Sequence, residues 1–330
     1  FQAEDGIRDT NSGLVGSEMC IRDSGRPMNS VFDTRMMARA LQLARRGRYS
    51  ARPNPHVGCV LTRGDDVIGE GFTQPAGGDH AEIQALKAAG DATGATAYVT
   101  LEPCSHTGKT GPCADALIAA GVTRVVAAMQ DPNPLVGGEG LARLRSAGVA
   151  VECGLLQAEA EKVIPGFIHR MRRGRGRMRA KLAMSLDGRT AMASGESQWI
   201  TGPDARADVQ RLRAMSCAIV TGVGTVQSDD CSLTVREDQL GLPPTEARLA
   251  MTAAPLRVVL DSQLRTPPGA KVLDRSAPTL LVHDINAALP AAIETSAALR
   301  LAVPASPLGG LELAPATVTM RQPDVFSYEL

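Results

Sequence analysis

The chain has 330 residues, with 35 Lys plus Arg against 35 Asp plus Glu, and only 3% of its residues are aromatic. This length suits two domains, and the zero net charge does not indicate nucleic acid or an acidic membrane surface as a partner. No apolar run approaches the roughly 20 residues of a membrane helix, and no signal-peptide pattern is found. Seven irregularly spaced cysteines are not typical of a disulfide framework, so we expect a cytoplasmic protein.

The first half of the chain predicts alternating helices and strands after an atypical start. Residues 1–27 show neither a helical nor a strand period and precede Met28, so we interpret them as a non-native extension. Asp33 is predicted to cap the first helix, which ends at Gly47. The turn signal at 63–66 predicts a hairpin. The predicted strands are 57–61, 67–71, 95–101, 123–129 and 149–153, and the further helices are 80–89, 113–120 and 140–147.

Six arginines crowd residues 169–179, and we interpret this range as a solvated connector between a domain at 28–168 and a domain at 180–330. A phosphate-binding or RNA-binding patch is the alternative, but no aromatic residues are interleaved with the arginines. The predicted strands beyond the connector are 180–186, 217–221, 256–260, 279–283 and 299–303, and the helices are 203–215 and 286–296. Strands that alternate with helices predict the α/β class, with helices on the sheet faces.

Four residues of the first domain carry the chemistry: His80, Glu82, Cys104 and Cys113. A catalytic zinc ion takes three protein ligands and leaves one position open, and His80, Cys104 and Cys113 can supply those ligands. Glu82, at a helix start, can move protons without binding the metal. Cys113 opens a helix whose dipole favours a thiolate. Because His-x-Glu followed by Pro-Cys and a second Cys is typical of nucleobase deaminases, the pattern predicts zinc-dependent deamination of a nitrogen heterocycle.

Three alternatives stay open at this point. A four-ligand structural zinc ion could recruit His106 as an additional ligand. A single-activity deaminase could act on another base, such as guanine, cytidine or tRNA adenosine, although the nine-residue spacing from Cys104 to Cys113 and the second domain argue against it. A non-catalytic binding module stabilised by zinc is the third. Replacing Glu82 with Gln separates catalysis from mere metal binding.

Several segments together carry a resemblance to a known family. They are 52–60 (RPNPHVGCV), 80–82 (HAE), 100–106 (TLEPCSH), 112–113 (PC), 130–134 (QDPNP), 181–189 (KLAMSLDGR) and 194–201 (SGESQWIT). This set resembles the bifunctional riboflavin-biosynthesis deaminase–reductase family over roughly residues 33–303. The Cys104 to Cys113 spacing, with Ser105-His106 after the first cysteine, is specific to this branch of the deaminases.

For residues 28–168 the resemblance implies a cytidine-deaminase-like, three-layer α/β domain. It would hydrolyse the 2-amino group of a 2,5-diamino-6-ribosylamino-pyrimidinone 5'-phosphate. The resemblance assigns zinc to His80, Cys104 and Cys113, and the proton shuttle to Glu82. The implied substrate contacts are Asn54, His106, Lys109 and Thr110.

For residues 180–330 the resemblance implies an incomplete dihydrofolate-reductase-like domain that uses NADPH to reduce the ribosyl group to ribityl. The implied substrate positions are Ser197, Arg213, Leu233 and Arg236, and the implied NADPH positions are Ala183, Trp199, Thr225 and Asp229. Because the family's later acidic and glycine-rich segment is missing from the sequence, we expect deamination but poor reduction. We also expect a homo-oligomer that binds a small phosphorylated pyrimidine and neither nucleic acid nor membrane.

Overall fold

The computed structural model describes residues 31–106, 111–197, 199–294 and 298–303. Predictions for residues 1–27, Lys109 and Thr110 lie outside this part of the chain. The described residues form two compact units, 31–47 with 54–174 and 48–53 with 175–303. Among the described helices, none combines the length and the apolar composition that crossing a membrane would require.

The first unit is built on one five-stranded mixed sheet. Its strands are β1 (Gly58–Arg63), β2 (Asp66–Phe72), β3 (Thr96–Val99), β4 (Arg124–Ala127) and β5 (Ala150–Cys153), in the order β2-β1-β3-β4-β5. Its helices are α1 (Val31–Arg46), α2 (Ala81–Ala89), α3 (Cys113–Ala119), α4 (Glu139–Ser146), α5 (Gln157–Val163) and α6 (Pro165–Arg173). β1 and β2 form the predicted antiparallel hairpin, whereas β3, β4 and β5 are parallel.

Helices cover both faces of this sheet, because successive residues of a strand point to opposite faces. Gly58 of β1 lies against α1, where an added Cβ atom would be 2.0 Å from the carbonyl oxygen of Ala40. Gly71, which pairs with Cys59, lies against α2, where a Cβ atom would be 2.2 Å from the carbonyl oxygen of Ala81. Since Gly58 and Cys59 are neighbours on one strand, α1 and α2 lie on opposite faces. This is the predicted three-layer arrangement.

The predicted role of Asp33 as a helix cap is wrong. Asp33 lies inside the first turn of α1 and is buried. Its carboxylate accepts a hydrogen bond from the Tyr98 hydroxyl at 2.6 Å and an ion pair from Arg124 at 2.9 Å. Arg124 also pairs with Glu152 at 2.7 Å. An Asp at the start of an apolar helix is typical of a cap, but here Tyr98 of β3 and Arg124 of β4 bind the carboxylate instead.

The second unit contains a four-stranded parallel sheet in the order β6-β7-β8-β9. The strands are β6 (Ala218–Gly222), β7 (Leu256–Leu260), β8 (Thr279–Asp284) and β9 (Leu299–Val303). The helices are α7 (Pro203–Ala214), α8 (Val223–Asp229), α9 (Pro244–Met251) and α10 (Ala291–Glu294). In its core, Val223 and Val226 of α8 pack with Val259 and Leu281 of the sheet. The four strands lie within two residues of their predicted positions.

The predicted strand at 180–186 is absent from the described structure, where this range is coil. The Ser185 N–H donates to the carbonyl of Arg189 at 2.9 Å, and Gly188 between them has φ 81°, so a tight turn takes up the local backbone groups. Leu182 is 70% exposed. An alternating apolar pattern forms a strand only when a neighbouring strand provides hydrogen bonds and side-chain partners, and this segment has none of the ladder pairings.

One further prediction needs correction. The helix predicted at 286–296 is observed at Ala291–Glu294, and the described residues before it are not helical because Pro290 disfavours helical geometry at the residue that precedes it. Residues 295–296 lie outside the described residues. The range predicted as a connector, 169–179, includes the end of α6, which a proline at its first position and the buried Ile168 stabilise. Only the residues beyond Gly174, which ends α6 with φ 65°, are coil.

Candidate metal centre

Three side chains with metal-binding atoms meet in the first unit. His80 Nδ1 lies 3.7 Å from Cys104 Sγ and 3.3 Å from Cys113 Sγ. The three ligand atoms all lie within 4.8 Å of one another, and no other group of three or more His, Cys, Asp or Glu with this spacing occurs in the part of the chain that the structure describes. The structure therefore brings together the three residues predicted as ligands.

Local backbone structure sets this convergence. His80 is the N-cap residue of α2 and has extended backbone geometry, with φ −73° and ψ 165°. Cys113 is the first residue of α3, and its N–H donates to the Sγ atom of Cys104 at 3.3 Å. The carbonyl of Cys104 accepts the N–H of Ala114 at 3.1 Å. The segment after β3 and the start of α3 thus hold the two sulfur atoms side by side.

The donor set and its spacing fit zinc. An imidazole with two thiolates suits zinc, whereas magnesium and calcium prefer oxygen ligands. Ligands about 2.0–2.3 Å from a tetrahedral zinc ion lie about 3.5 Å from one another. The two observed nitrogen–sulfur distances of 3.7 and 3.3 Å lie on either side of that value. His80, Cys104 and Cys113 would hold the ion and leave its fourth position open.

The two thiols differ in acidity. Hydrogen bonding with Cys113 lowers the pKa of Cys104 to about 4, and hydrogen bonding with His80 adds to the decrease. The same bond to Cys104, then burial, then the charge of Glu82 raise the pKa of Cys113. The negative charges of Cys104 and Glu82 thus oppose the effect that was predicted from the α3 dipole. Without a bound metal ion, Cys104 is therefore the more acidic thiol of the two.

Glu82 is the second residue of α2 and is buried beside the ligand group, with 3% of its surface exposed. Burial raises the pKa of its carboxyl group to about 7, and the charge of Cys104 contributes in the same direction. A carboxyl group with this pKa can both accept and return a proton near neutral pH. A buried carboxyl group next to three metal ligands, but outside the ligand set, is the arrangement that the predicted proton shuttle requires.

Two other residues of the first unit are predicted to contact the substrate, and both lie in loops next to the ends of strands. Asn54 is exposed in the loop before β1, whose first residue, Gly58, accepts the Thr100 N–H at 3.1 Å just beyond β3. His106 is exposed two residues after Cys104 and is not a member of the ligand group. The described residues therefore do not supply the fourth protein ligand that a structural zinc site would need.

Sequence reasoning missed one buried carboxylate beside the ligand group. Glu102 is 6% exposed and lies two residues before Cys104. Its carboxylate accepts hydrogen bonds from four backbone N–H groups, of Asp131, Gly138, Gly140 and Leu141. The only sequence signal is an acidic residue between an apolar strand and the Pro-Cys motif, and it does not reveal these distant partners.

The cofactor positions predicted for the second domain lie on two segments. Ala183 and Trp199, with the predicted substrate contact Ser197, lie on the coil before α7. The indole of Trp199 is 69% exposed, and the guanidinium carbon of Arg206 lies 4.5 Å from its ring centre. Thr225 and Asp229 are exposed on α8, which begins where β6 ends. The end of β6 lies at the carboxyl edge of the parallel sheet, which is the edge where α/β proteins bind nucleotides.

Two of the predicted substrate residues place positive charges near each other. Arg213 donates a hydrogen bond to the carbonyl of Thr234 at 3.1 Å. Burial, and then the positive charge of Arg236, lower the pKa of Arg213. Among the described residues, no carboxylate forms a salt bridge with either guanidinium. Such a pair suits a phosphate group. The remaining predicted contact, Leu233, is 7% exposed in the core and has φ 53°.

Comparison with known proteins decides the family. The cytidine and deoxycytidylate deaminase zinc-binding region matches residues 30–129, and the RibD C-terminal domain matches residues 177–300. The riboflavin biosynthesis protein RibD of Escherichia coli K12 is 56% identical over 250 residues, which cover 75% of this chain and 68% of that protein. The chain belongs to the RibD family. RibD of Haemophilus influenzae is 54% identical over 252 residues, again covering 68% of that protein.

Solved RibD structures share the fold. RibD of Acinetobacter baumannii is 46% identical with a TM-score of 0.75, over 84% of this chain and 75% of that chain. A diaminohydroxyphosphoribosylaminopyrimidine deaminase/5-amino-6-(5-phosphoribosylamino)uracil reductase of Thermotoga maritima is 33% identical with a TM-score of 0.70, over 82% and 74%. The predicted pair of folds, cytidine-deaminase-like and then dihydrofolate-reductase-like, is thereby confirmed.

Membership of the RibD family also confirms the predicted class of function. The chain is a riboflavin-biosynthesis enzyme of the type that deaminates and then reduces a small phosphorylated pyrimidine, with zinc and NADPH as its cofactors. A single-activity deaminase for another base is not favoured, because the RibD C-terminal domain follows the deaminase region. A non-catalytic zinc module is not favoured either.

Proposed function

We propose that residues 28–168 hydrolyse the 2-amino group of a 2,5-diamino-6-ribosylamino-pyrimidinone 5'-phosphate at a zinc ion held by His80, Cys104 and Cys113. The observation that carries this proposal is the convergence of three ligand atoms within 4.8 Å beside the buried carboxyl group of Glu82. When bound, zinc supplies a nucleophile at neutral pH, because it lowers the pKa of water from 15.7 to about 7.

Glu82 carries the protons of this reaction. It accepts one proton from the attacking water and delivers it to the ring nitrogen. It then accepts the second proton, from the newly added hydroxyl group, and delivers it to the amino group, which leaves as ammonia. The pKa of about 7 that burial gives its carboxyl group supports both steps at one pH. The residues that we propose as contacts to the pyrimidine and its ribosyl phosphate are Asn54, His106, Lys109 and Thr110.

The second step belongs to residues 180–330. In a complete reductase domain, the ribosyl group would be reduced to ribityl, with Arg213 and Arg236 holding the 5'-phosphate of the deaminated product. Burial, and then the nearby charge of Arg236, lower the pKa of Arg213, and the proximity of the two positive charges supports an anion as the ligand. Ser197 and Leu233 complete the proposed substrate contacts. The proposed NADPH contacts are Ala183, Trp199, Thr225 and Asp229.

Domain limits, assembly and location remain part of the proposal. The deaminase domain would end at residue 168 and the reductase domain would begin at 180. We further propose a cytoplasmic homo-oligomer without nucleic-acid or membrane partners. Light scattering at several protein concentrations tests the oligomer, and a monomeric mass at all of them would contradict it.

The deciding experiment measures zinc content and ammonia release together, in the parent chain and in two variants. Glu82→Gln keeps the size of the side chain but cannot shuttle protons, so kcat is expected to fall by about 10²–10⁴-fold with zinc content unchanged. Cys104→Ala is expected to lose both zinc and ammonia release. Glu161→Gln, a half-exposed glutamate on α5, is the matched control.

Two results would refute the assignment. One is ammonia release by Glu82→Gln at the rate of the parent chain. The other is a zinc-loaded parent chain that releases no ammonia from the diaminopyrimidine substrate.

A further inference from the structure

We propose that Glu102 is a positioning residue of the deamination site, which holds the segment 131–138 against the ligand-bearing segment around Cys104. The inference rests on the proposed deaminase function and adds to it a residue that neither binds metal nor moves a proton. It follows from the hydrogen bonds of Glu102, from the close packing around it, and from the residues that its partners adjoin.

The Glu102 carboxylate ties two chain segments together. Oε2 accepts the N–H groups of Asp131 at 3.0 Å and Gly138 at 2.9 Å. Oε1 accepts the N–H groups of Gly140 at 2.8 Å and Leu141 at 3.3 Å. The Glu102 N–H in turn donates to the Met129 carbonyl at 3.0 Å, where β3 and β4 end. One side chain therefore satisfies both ends of the segment that leads from β4 into α4.

This carboxylate also completes the N-terminus of α4. The N-cap residue, Gly138, has φ 91° and no side chain, so it cannot cap the N–H groups of Gly140 and Leu141, whereas the Glu139 N–H donates to the Val136 carbonyl at 3.1 Å. Glu102 supplies that acceptor from a distant strand end. The positive end of the helix dipole and four N–H donors stabilise its charge. No Lys or Arg of the described chain forms a salt bridge with it.

Close packing fixes the position of α4 and of the segment 131–138 relative to the backbone at Pro103. A Cβ atom on Gly140 would lie 1.9 Å from the carbonyl oxygen of Pro103, so α4 contacts the backbone next to Cys104 directly. A Cβ atom on Gly137 would lie 2.5 Å from the carbonyl oxygen of Asp131, so the segment also folds tightly on itself. A change in the length or the hydrogen bonding of Glu102 must therefore move one segment relative to the other.

The segment held by Glu102 adjoins the proposed site. Burial raises the pKa of Asp131, and the charges of Glu102, His106 and Cys104 also act on it, so the Asp131 carboxyl group lies within electrostatic range of the site. Asp131 accepts the Asn133 N–H at 2.8 Å, which fixes the turn that follows. Displacing this segment would alter the wall beside the metal centre without removing a metal ligand.

Glu102→Gln tests the proposal, because the glutamine amide keeps one of the two acceptor oxygens and replaces the other with an NH₂ group that cannot accept a hydrogen bond. Zinc content is expected to stay at the parent level. The KM of ammonia release is expected to rise at least 10-fold, while kcat falls less than 3-fold. Amide hydrogen exchange at Gly138 and Gly140 is expected to accelerate at least 10-fold. Glu102→Ala should show a larger change in KM and in the exchange rates with zinc content again unchanged, and Glu161→Gln should show no change in any of them.

The readouts separate this proposal from the proposed function. A parent chain without ammonia release refutes the function, whereas exchange at Gly138 and Gly140 still decides whether Glu102 holds the segment. Glu102→Gln with the KM and exchange rates of the parent chain would overturn the positioning role. Loss of zinc in proportion to activity would also overturn it. If Glu102→Gln does not fold, Glu102→Asp, which keeps the charge on a shorter side chain, takes its place in every measurement.

Discussion

The Nδ1 atom of His80 lies 3.3 Å from the Sγ atom of Cys113, although 33 positions separate the two residues in the chain. The contact joins the start of α2 to the start of α3, and Cys104 reaches the same point from the end of β3. A metal ion at this point would link three elements of the first unit. Its loss should therefore affect both the chemistry and the stability of that unit.

Removing the metal is expected to abolish ammonia release and to lower the thermal midpoint of the first unit. Without the ion, the two thiols and the imidazole lose their common partner, and the free energy of metal binding is lost from the folded state. Calorimetry and an ammonia assay after chelation, and again after zinc is restored, measure both effects. Since Cys104→Ala lacks the site, its thermal midpoint should not respond to the chelator. An equal response in Cys104→Ala would contradict this origin of the stability.

Arg124→Met is expected to destabilise the first unit by about 3 kcal/mol, because it removes the guanidinium from the buried carboxylates of Asp33 and Glu152. Urea unfolding followed by circular dichroism measures the loss. Arg145→Met, an exposed position on α4, should change the free energy of unfolding by less than about 0.5 kcal/mol.

The same cluster predicts coupling between its members. Arg124→Met leaves the negative charges of Asp33 and Glu152 without their partner, and adding Glu152→Gln removes one of them. The free energy of unfolding of the double variant should therefore be about 1 kcal/mol higher than that of Arg124→Met. Strictly additive losses would show that Arg124 acts by packing alone, and not through its charge.

Gly58→Ala is expected to destabilise the first unit by about 1–3 kcal/mol, because the new methyl group would lie 2.0 Å from the carbonyl oxygen of Ala40. Gly166→Ala on α6 is the matched control, since a Cβ atom there meets nothing within 4 Å and alanine favours a helix. Its thermal midpoint should equal or exceed that of the parent chain. Equal midpoints for the two variants would show that α1 can move away from β1 at little cost.

Arg213→Met is expected to weaken the binding of ribose 5-phosphate by at least 10-fold, about 1.4 kcal/mol, because one of two neighbouring guanidinium groups is lost. Arg248→Met, an exposed arginine on α9, should leave the affinity unchanged. Titration calorimetry at two salt concentrations measures the affinities and their salt dependence. Equal affinities for both variants would argue against phosphate binding at Arg213.

Much of the metal centre could be predicted from the sequence, because its ligands lie in short motifs at the ends of regular elements. His80 lies at a helix start, Cys104 follows a strand, and Cys113 begins the next helix. Such ends meet at one edge of an α/β sheet, so their spacing was enough to predict the group. Glu82 could be predicted for the same reason, because it lies two positions from His80.

Other features depended on partners distant in the sequence. Asp33 has the pattern of a helix cap, yet its partner Arg124 lies 91 positions away. Residues 180–186 alternate like a strand, but the described structure offers them no pairing strand. Glu102 looks like an ordinary residue before the Pro-Cys motif, and its four N–H donors come from positions 29 to 39 residues further on.

The amino-acid sequence by itself determined the α/β class, the hairpin of β1 and β2, and the identity of the candidate metal ligands, because these follow from local periodicity and short motifs. Only the tertiary structure decided which buried charges pair, which apolar segments join a sheet, and which carboxylate binds the segment beside the metal centre. Those outcomes depend on burial and on contacts between distant segments, and neither is encoded in the residues that surround a position in the chain.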